Sequence, residues 1–513
     1  MRRSAPAAPP LPIPGRRRWI AGVAALAVPA LVPRVWADAG PRFALGVGSG
    51  HPRPDGVVLW TRLTGDGLPD RVPVQWTLAD DEGFVHVIAQ GAEAAIADDA
   101  HSVHAEARGL PPGRWFWYRF EALGQRSAVG RTRTAPARGA DATLRAVSAS
   151  CQRYDHGHYA AWRDAAAQAP DLVLFHGDYL YEYPALPGRV RAHTGGEVRT
   201  LAEYRARYAL VKSDPLLQAA HAAAPWLVIW DDHEVANDYA GLQSQTLEDG
   251  FAARRAAAYR AWWEHQPVSK SMRPIGVELP LHGRLDWGRI ARLHLLDTRQ
   301  HRDPQACPRP GRGGSNTVRR RDCPDLDAPR RSLLGAAQEA WLAEGWDADR
   351  PWNLLVQQTL MAQFSWRDPA RDPTYWTDGW DGYPAARRRL LAQAHERHAR
   401  GLVVLGGDVH AHYVADLRLD PDNPRSPLVA TEFCGTSISS HGIGQDRIDA
   451  ARRHNPHVLF ARGDRRGYQL LELDAQGARV TLKAVEDPDD PGSAVHDLAR
   501  FAVDPRQPGA EVA

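Results

Sequence analysis

Residues 171–182 read DLVLFHGDYLYE, a short apolar run that gives way at once to His176, Asp178, Tyr181 and Glu182. An unbroken apolar run of this length fits a strand buried on both faces, and in layered α/β proteins the loops at the carboxyl ends of such strands carry the chemistry. The same succession recurs along the chain. Residues 144–150 close in SASCQ (148–152), 227–230 run into WDDHEVAND (230–238), and 402–405 precede GGDVHAH (406–412). Residues 290–296 and 353–358 are further buried-strand candidates, and helical stretches at 159–168, 201–224, 251–265 and 384–399 lie between several of them. Strands alternating with helices predict layered α/β packing.

Residues 41–135 follow another pattern. Runs at 43–49, 56–63, 72–78, 84–90, 101–107 and 114–123 show partial alternation and are separated by PRPDG, TGDG and LPPG, which predicts a small all-β sandwich. Residues 136–141 read as a polar, proline-containing linker, so the expected division is a β domain at 38–136 and a catalytic domain at 141–513. No internal repeat is evident.

The first 37 residues read as a third unit. They hold Arg2, Arg3, Arg16, Arg17, Arg18 and Arg34 and no acid, with GRRRW followed by an apolar stretch at 19–31 and then Val35-Trp36-Ala37. This is the pattern of a secretory signal cleaved after Ala37, and the paired arginines before Trp19-Ile20 resemble the twin-arginine type. Thirteen apolar residues are too few to span a bilayer and no later run reaches eighteen, so the expectation is an exported protein, periplasmic or extracellular, with no integral membrane segment once mature. Removing six arginines from a net charge of +2 leaves about −4. Neither balance favours a stable nucleic-acid partner.

Four cysteines are present. Cys307 and Cys323 flank PRPGRGGSNTVRRRD and in an oxidising compartment can close that loop, whereas Cys151 and Cys434 each end a strand-like run. Of the 18 tryptophans, Trp226, Trp230, Trp262, Trp263, Trp376 and Trp380 adjoin polar clusters; core packing is the leading reading and a substrate platform the lesser one.

So many carboxylates and imidazoles behind buried strands need a compensating charge, and a metal centre satisfies them together. Asp178, after a glycine, can bridge two ions, and Tyr181 offers a hard phenolate of the kind Fe(III) favours. Cys151 reads as a thiolate ligand ahead of a nucleophile or a buried thiol. Asp408 and His410, two apart, share a face if the backbone there is extended. In the densest cluster Asn237 supplies a neutral oxygen suited to Ca²⁺, while His233 can protonate a leaving group or donate to a phosphate oxygen. Asp232, Glu234 or Asp238 can instead cap a helix. A pair of ions among these donors points to phosphate-ester hydrolysis.

At this point the chain closely resembles the PhoD family of secreted alkaline phosphatases and phosphodiesterases, within the calcineurin-like metallophosphatases. The resemblance rests on GVGSGHPRPDGVVLWTRL, SASCQ, GDYLYEY, WDDHEVANDY, LLDTRQHR, the GAAQEAWL to VQQT segment, GGDVH, EFCGTSISS and NPHVLF, and covers nearly the whole mature chain. It implies an α/β fold, a calcineurin-like αββα two-sheet domain preceded by the β-sandwich, and a metal-activated hydroxide at a mixed Fe(III)/Ca(II) centre. Carried over, the ferric ligands are Cys151, Asp178, Tyr181 and His410. Calcium takes Asp178, Asn237 and Asp408, with Asp232 as a further candidate. Asp232, His233 and Arg299 are the implied catalytic residues; Arg299 and His301, after a strand, can orient or neutralise substrate, with loop ion pairing an equal reading of Arg299. The implied substrates are small or polymeric phosphate mono- and diesters, the implied partner is the twin-arginine export machinery, and the implied state is a monomer. A phospholipase D-like phosphodiesterase is the alternative on the same scaffold; a metal-binding module and a cysteine hydrolase are the more distant ones. Asp238 and Cys434 depart from residues common in the family.

Overall fold

A computed structural model describes residues 41–513. The expected signal segment, residues 1–37, lies outside the described residues.

The N-terminal strands are β1 (Val47–Arg53), β2 (Gly56–Arg62), β3 (Arg71–Ala79), β4 (Val87–Ile96), β5 (Ser102–Arg108), β6 (Trp115–Ala122), β7 (Gln125–Arg126) and β8 (Gly130–Arg133). The chain continues through β9 (Leu144–Ala149), β10 (Leu172–Phe175), β11 (Pro225–Val228), β12 (Gly283–Trp287), β13 (Ala291–Leu295), β14 (Thr317–Arg319), β15 (Trp352–Val356), β16 (Thr374–Trp376) and β17 (Leu402–Gly406). It ends in β18 (His412–Arg418), β19 (Leu428–Cys434), β20 (Val458–Arg462), β21 (Arg466–Leu473), β22 (Ala478–Val485), β23 (Val495–Asp504) and β24 (Gln507–Val512). The helices are α1 (Ala160–Ala167), α2 (Leu201–Lys212), α3 (Pro215–Ala223), α4 (Phe251–His265), α5 (Ala336–Gly345), α6 (Pro384–Glu396) and α7 (Gln445–Arg452).

Two large sheets organise these elements. One has ten strands in the order β24-β23-β22-β21-β9-β10-β11-β1-β2-β5, the other seven in the order β12-β13-β15-β17-β19-β18-β20. The middle of each is parallel: β9, β10, β11 and β1 in the first, β13, β15, β17 and β19 in the second. Of these, β10, β11 and β17 carry no polar side chain, because both faces are covered. In β15, Trp352, Leu354 and Val356 join the core shared with the ten-stranded sheet, while Leu355 points to the core under α5, α6 and α7. Helices α1, α3 and α4 contact strands of the ten-stranded sheet, which gives the order helix, sheet, sheet, helix.

The sandwich expectation is modified. The sheet β4-β3-β6-β7, with β8 beside β6, does pack a core of Val72, Val74, Leu78, Phe116 and Phe120 against Val47, Leu59, Val103 and Ala105. The facing strands β1, β2 and β5 are not a separate sheet, however: Ser49 pairs with Pro225, which splices them onto the ten-stranded sheet. The stretch at 201–224 is also two helices rather than one. Asp214 accepts from Leu216 N at 2.9 Å and Leu217 N at 3.2 Å, and Pro215 begins α3, so a capping residue and a first-turn proline restart the helix there. Cys307 and Cys323 form the expected disulfide, and Cys151 and Cys434 are free and buried. No helix of the described residues is long and apolar enough to cross a membrane.

Candidate metal centre

The polar clusters meet where the carboxyl ends of the two parallel blocks face each other. Cys151 follows β9, Asp178 follows β10, Asp232 follows β11 and Asp408 follows β17. A parallel bridge between Ser150 and Ser437, after β19, ties the two sheets at this point. Close approach depends on Gly177, whose φ is +109°; a Cβ there would lie 2.4 Å from the Asp231 nitrogen. Five residues of the cluster hold the left-handed backbone that side chains avoid: Cys151 (φ 60°), Asp178 (59°), Asp238 (55°), Asp408 (65°) and His410 (52°). Such strain is kept where the surroundings over-determine it and gathers at functional sites. The 407–411 segment is therefore a bend, not the extended stretch expected for Asp408 and His410.

Ligating atoms of Cys151, Asp178 and His410 lie within 4.8 Å of one another, and so do those of Asp178, Asp232 and His233. The Tyr181 hydroxyl stands 2.8 Å from Asp178 Oδ2 and 3.0 Å from His410 Nε2, with Ser440 Oγ at 2.8 Å. His410 Nδ1 donates to the carbonyl of His441 at 2.6 Å, which leaves Nε2 as the unprotonated, ligating nitrogen. Burial, then Arg466, holds His410 neutral, its pKa lowered to about 3. Burial and the neighbouring Asp178 carboxylate push both the Cys151 thiol and the Tyr181 phenol well above their ordinary values.

The donor set fits a cation. Asp178 and Asp408 are both raised by burial and by the carboxylates of Asp231 and Asp232, and Asp178 Oδ1 and Asp408 Oδ2 are buried without a hydrogen-bond partner among the described residues. A buried carboxylate oxygen left unpaired is costly, and a shared cation removes both that cost and the mutual repulsion. The thiol, phenol, imidazole and carboxylate mixture offers soft, borderline and hard donors to such a cation.

A cavity of about 420 Å³ opens on this cluster, and Asp178, Asp232, His233, Asn237, Asp238, Asp408 and His410 line it. His233 Nδ1 bonds Glu182 Oε2 at 2.7 Å, and the other Glu182 oxygen accepts the Asn237 amide at 2.7 Å. Burial opposes a charge on His233, but Glu182, Asp178 and Asp232 outweigh it and raise its pKa well above the usual value. Asp232 goes the other way: burial is overcome by Arg299 and His233, which lower it to about 2.

Arg299 sits behind the cavity. Its side chain is 1% exposed and lies outside the cavity lining, bonded to Asp231 Oδ1 at 2.5 Å and Asp378 at 2.8 Å, with Asp232 at 3.6 Å. Such a guanidinium compensates carboxylates from behind, which is the ion pairing that the sequence left open for it. His301 is likewise outside the lining, half-exposed and 3.7 Å from Glu278. Glu182, Asp378, Ser440 and Arg466 are the residues that sequence reasoning left without a role. Glu182 and Ser440 stand in quoted clusters and were within reach; Asp378 and Arg466 are brought in by their pairings with Arg299 and with Ser437, Ser440 and His410.

Residues 146–482 match the model of the PhoD-like phosphatase family, and residues 30–136 match that of the PhoD-like phosphatase N-terminal domain. The chain is similar to alkaline phosphatase D of Bacillus subtilis (strain 168), 40% identical over 486 residues, covering 91% of this chain and 82% of the relative. Among solved structures it is similar to one described as the structure of PhoD, with a TM-score of 0.85, 39% identity and 92% of each chain covered. It also shares a fold with purple acid phosphatase PPD1 from yellow lupin (Lupinus luteus) seeds, at a TM-score of 0.55 and 11% identity over 89% of this chain and 74% of that one.

Proposed function

Because the chain belongs to the PhoD-like phosphatase family, and is a metal-dependent phosphate-ester hydrolase of the alkaline phosphatase and phosphodiesterase type, we propose that the ester is cleaved over the cluster of Cys151, Asp178 and His410. One observation carries the assignment: those three ligands converge within 4.8 Å beside carboxylate oxygens of Asp178 and Asp408 that have no other partner among the described residues. Cys151, Asp178, Tyr181 and His410 would hold Fe(III); Asp178, Asn237 and Asp408, with Asp232 alongside, would hold Ca(II). When bound, the ions lower the pKa of a water and offset charge that develops on the phosphoryl oxygens.

The remaining work falls to side chains. Glu182 orients His233 through Nδ1 and, with Asp178 and Asp232, favours its imidazolium form, whose Nε2–H can donate to the leaving oxygen. Asp232 accepts the backbone N–H of His233 at 3.1 Å and of Asp238 at 2.7 Å, so it shapes the turn that carries Asn237 into the cavity. Arg299, with His233, keeps Asp232 ionised from beneath and opposes the burial that raises Asp231.

The finer assignments follow the same reading. The helix, sheet, sheet, helix order supports a calcineurin-like catalytic domain over 141–513 behind a β domain at 38–136. The basic and apolar run of residues 1–37 supports export through the twin-arginine route, to act as a periplasmic or extracellular monomer. The experiment that tests the centre is Asp178→Asn, assayed for bound metal and for phosphodiester turnover. Loss of both is expected; full activity with an unchanged metal content overturns the assignment.

A further inference from the structure

The cavity lining divides by chemistry. Beyond the carboxylates and imidazoles it consists of aromatic and aliphatic side chains, among them Phe364, Trp366, Trp376, Trp380 and Ile443. Among the three tryptophans of the lining, Trp366 and Trp376 differ from Trp380. Trp60, Trp162, Trp226, Trp287, Trp352 and Trp380 are buried and each donates its indole N–H to a protein oxygen. Trp366 and Trp376 are only half-buried, and neither indole N–H has a partner among the described residues. Both face the cavity with apolar surface that no protein element covers.

Their supports are firm. Phe364 meets Trp366 edge-on, with ring centroids 5.0 Å apart and planes at 84°, and meets Tyr413 at 5.3 Å and 74°. The Arg447 guanidinium sits 4.8 Å from the Trp366 ring centroid, and no carboxylate pairs with it among the described residues. Trp376 lies on β16, paired with Thr317 of β14, and Thr317 also lines the cavity. A rigid aromatic wall beside a phosphoryl site recognises a flat ring, because offset and edge-to-face ring pairs add attraction beyond the area they bury.

We propose that Trp366 and Trp376 are specificity-determining residues that bind an aromatic ring on the organic part of the ester. The inference rests on the reading of the metal cluster as the phosphoryl site. The chain thereby selects phosphate esters of ring-bearing alcohols over those of small or saturated ones.

Phosphonates test this, because their carbon–phosphorus bond is not hydrolysed and binding is read by calorimetry on the metal-loaded protein. Phenylphosphonate is expected to bind at least about tenfold more tightly than methylphosphonate and more tightly than cyclohexylphosphonate, which has similar bulk without a flat face. Trp366→Ala and, separately, Trp376→Ala should bring the phenyl-to-methyl ratio toward one; Val85→Ser, on the remote β3–β4 hairpin, is the control. Equal binding of phenyl and cyclohexyl, or an unchanged ratio in both folded tryptophan variants, overturns the proposal while leaving the metal-centre reading intact. If no phosphonate binds, or if binding survives unaltered in Asp178→Asn, the metal-centre reading fails and the proposal with it.

Discussion

Glu182 holds His233 and Asn237 at once: one carboxylate oxygen takes the His233 Nδ1 proton at 2.7 Å, and the other takes the Asn237 backbone N–H at 2.7 Å. A single 1%-exposed side chain thus fixes both the proposed proton donor and a proposed calcium ligand. Replacing Glu182 by Gln leaves the shape and removes the charge that favours the His233 imidazolium, along with one of the two acceptor oxygens. The expected result is a fall in kcat of about 10²-fold with a smaller change in KM, since general acid catalysis contributes about 10²–10⁴-fold. A kcat–pH profile of the variant should lose its alkaline limb or shift it. An unchanged profile shows that the pair only packs.

Arg299 is sandwiched between Asp231 and Asp378, with all three side chains within 2% of full burial. Removing one partner of a buried ion pair leaves an uncompensated charge and costs about 3–5 kcal/mol. Arg299→Met is therefore expected to lower Tm by several degrees and to weaken metal retention, because the carboxylates beneath the cavity lose their counter-charge. Unchanged Tm and metal content with a raised KM would instead make Arg299 a substrate contact.

His104, on β5, is stacked on Trp263 of α4 at 4.4 Å, with Nδ1 donating to the Val268 carbonyl at 2.8 Å. Burial lowers its pKa from 6.5 to about 4, against the Val268 bond and the charges of Asp99 and Glu106, which raise it, and with Lys270, which lowers it. The folded form thus resists a proton that the unfolded chain accepts. Its contribution is fully present above pH 6.5 and is lost as pH falls through 4, a swing of roughly 3 kcal/mol. Urea unfolding between pH 7 and 4 should show this slope in the wild type and a shallower one in His104→Phe. Parallel slopes contradict the assignment.

The parallel blocks were legible because apolar runs such as 172–175 and 402–405 are self-announcing, and the charged residues behind them have no place in a core. The strands β21 to β24 were not. The burial of β23 reads mostly intermediate and exposed, without the alternation that marks a strand, and its pairing with β22 is what makes it one. The splice of β1 onto β11 was equally hidden, since Ser49 and Pro225 carry no local sign of each other. Within the site, ligand types could be read from residue chemistry, but direction could not. Asp178 reaches Tyr181 and Glu182 reaches His233 only because the glycine turn and the left-handed residues aim them. Arg299 shows the converse: a cation after a strand reads equally as a substrate contact or an ion-pair partner until its three aspartates are placed around it.

The most direct test of the account is multi-element metal analysis of the mature protein, purified without added metal or chelator. Cys151, Tyr181, His410 and Asp178 together with Asn237 and Asp408 predict about one iron and about one to two calcium per chain in the active protein. Zinc alone, or full activity with no stoichiometric metal, contradicts it.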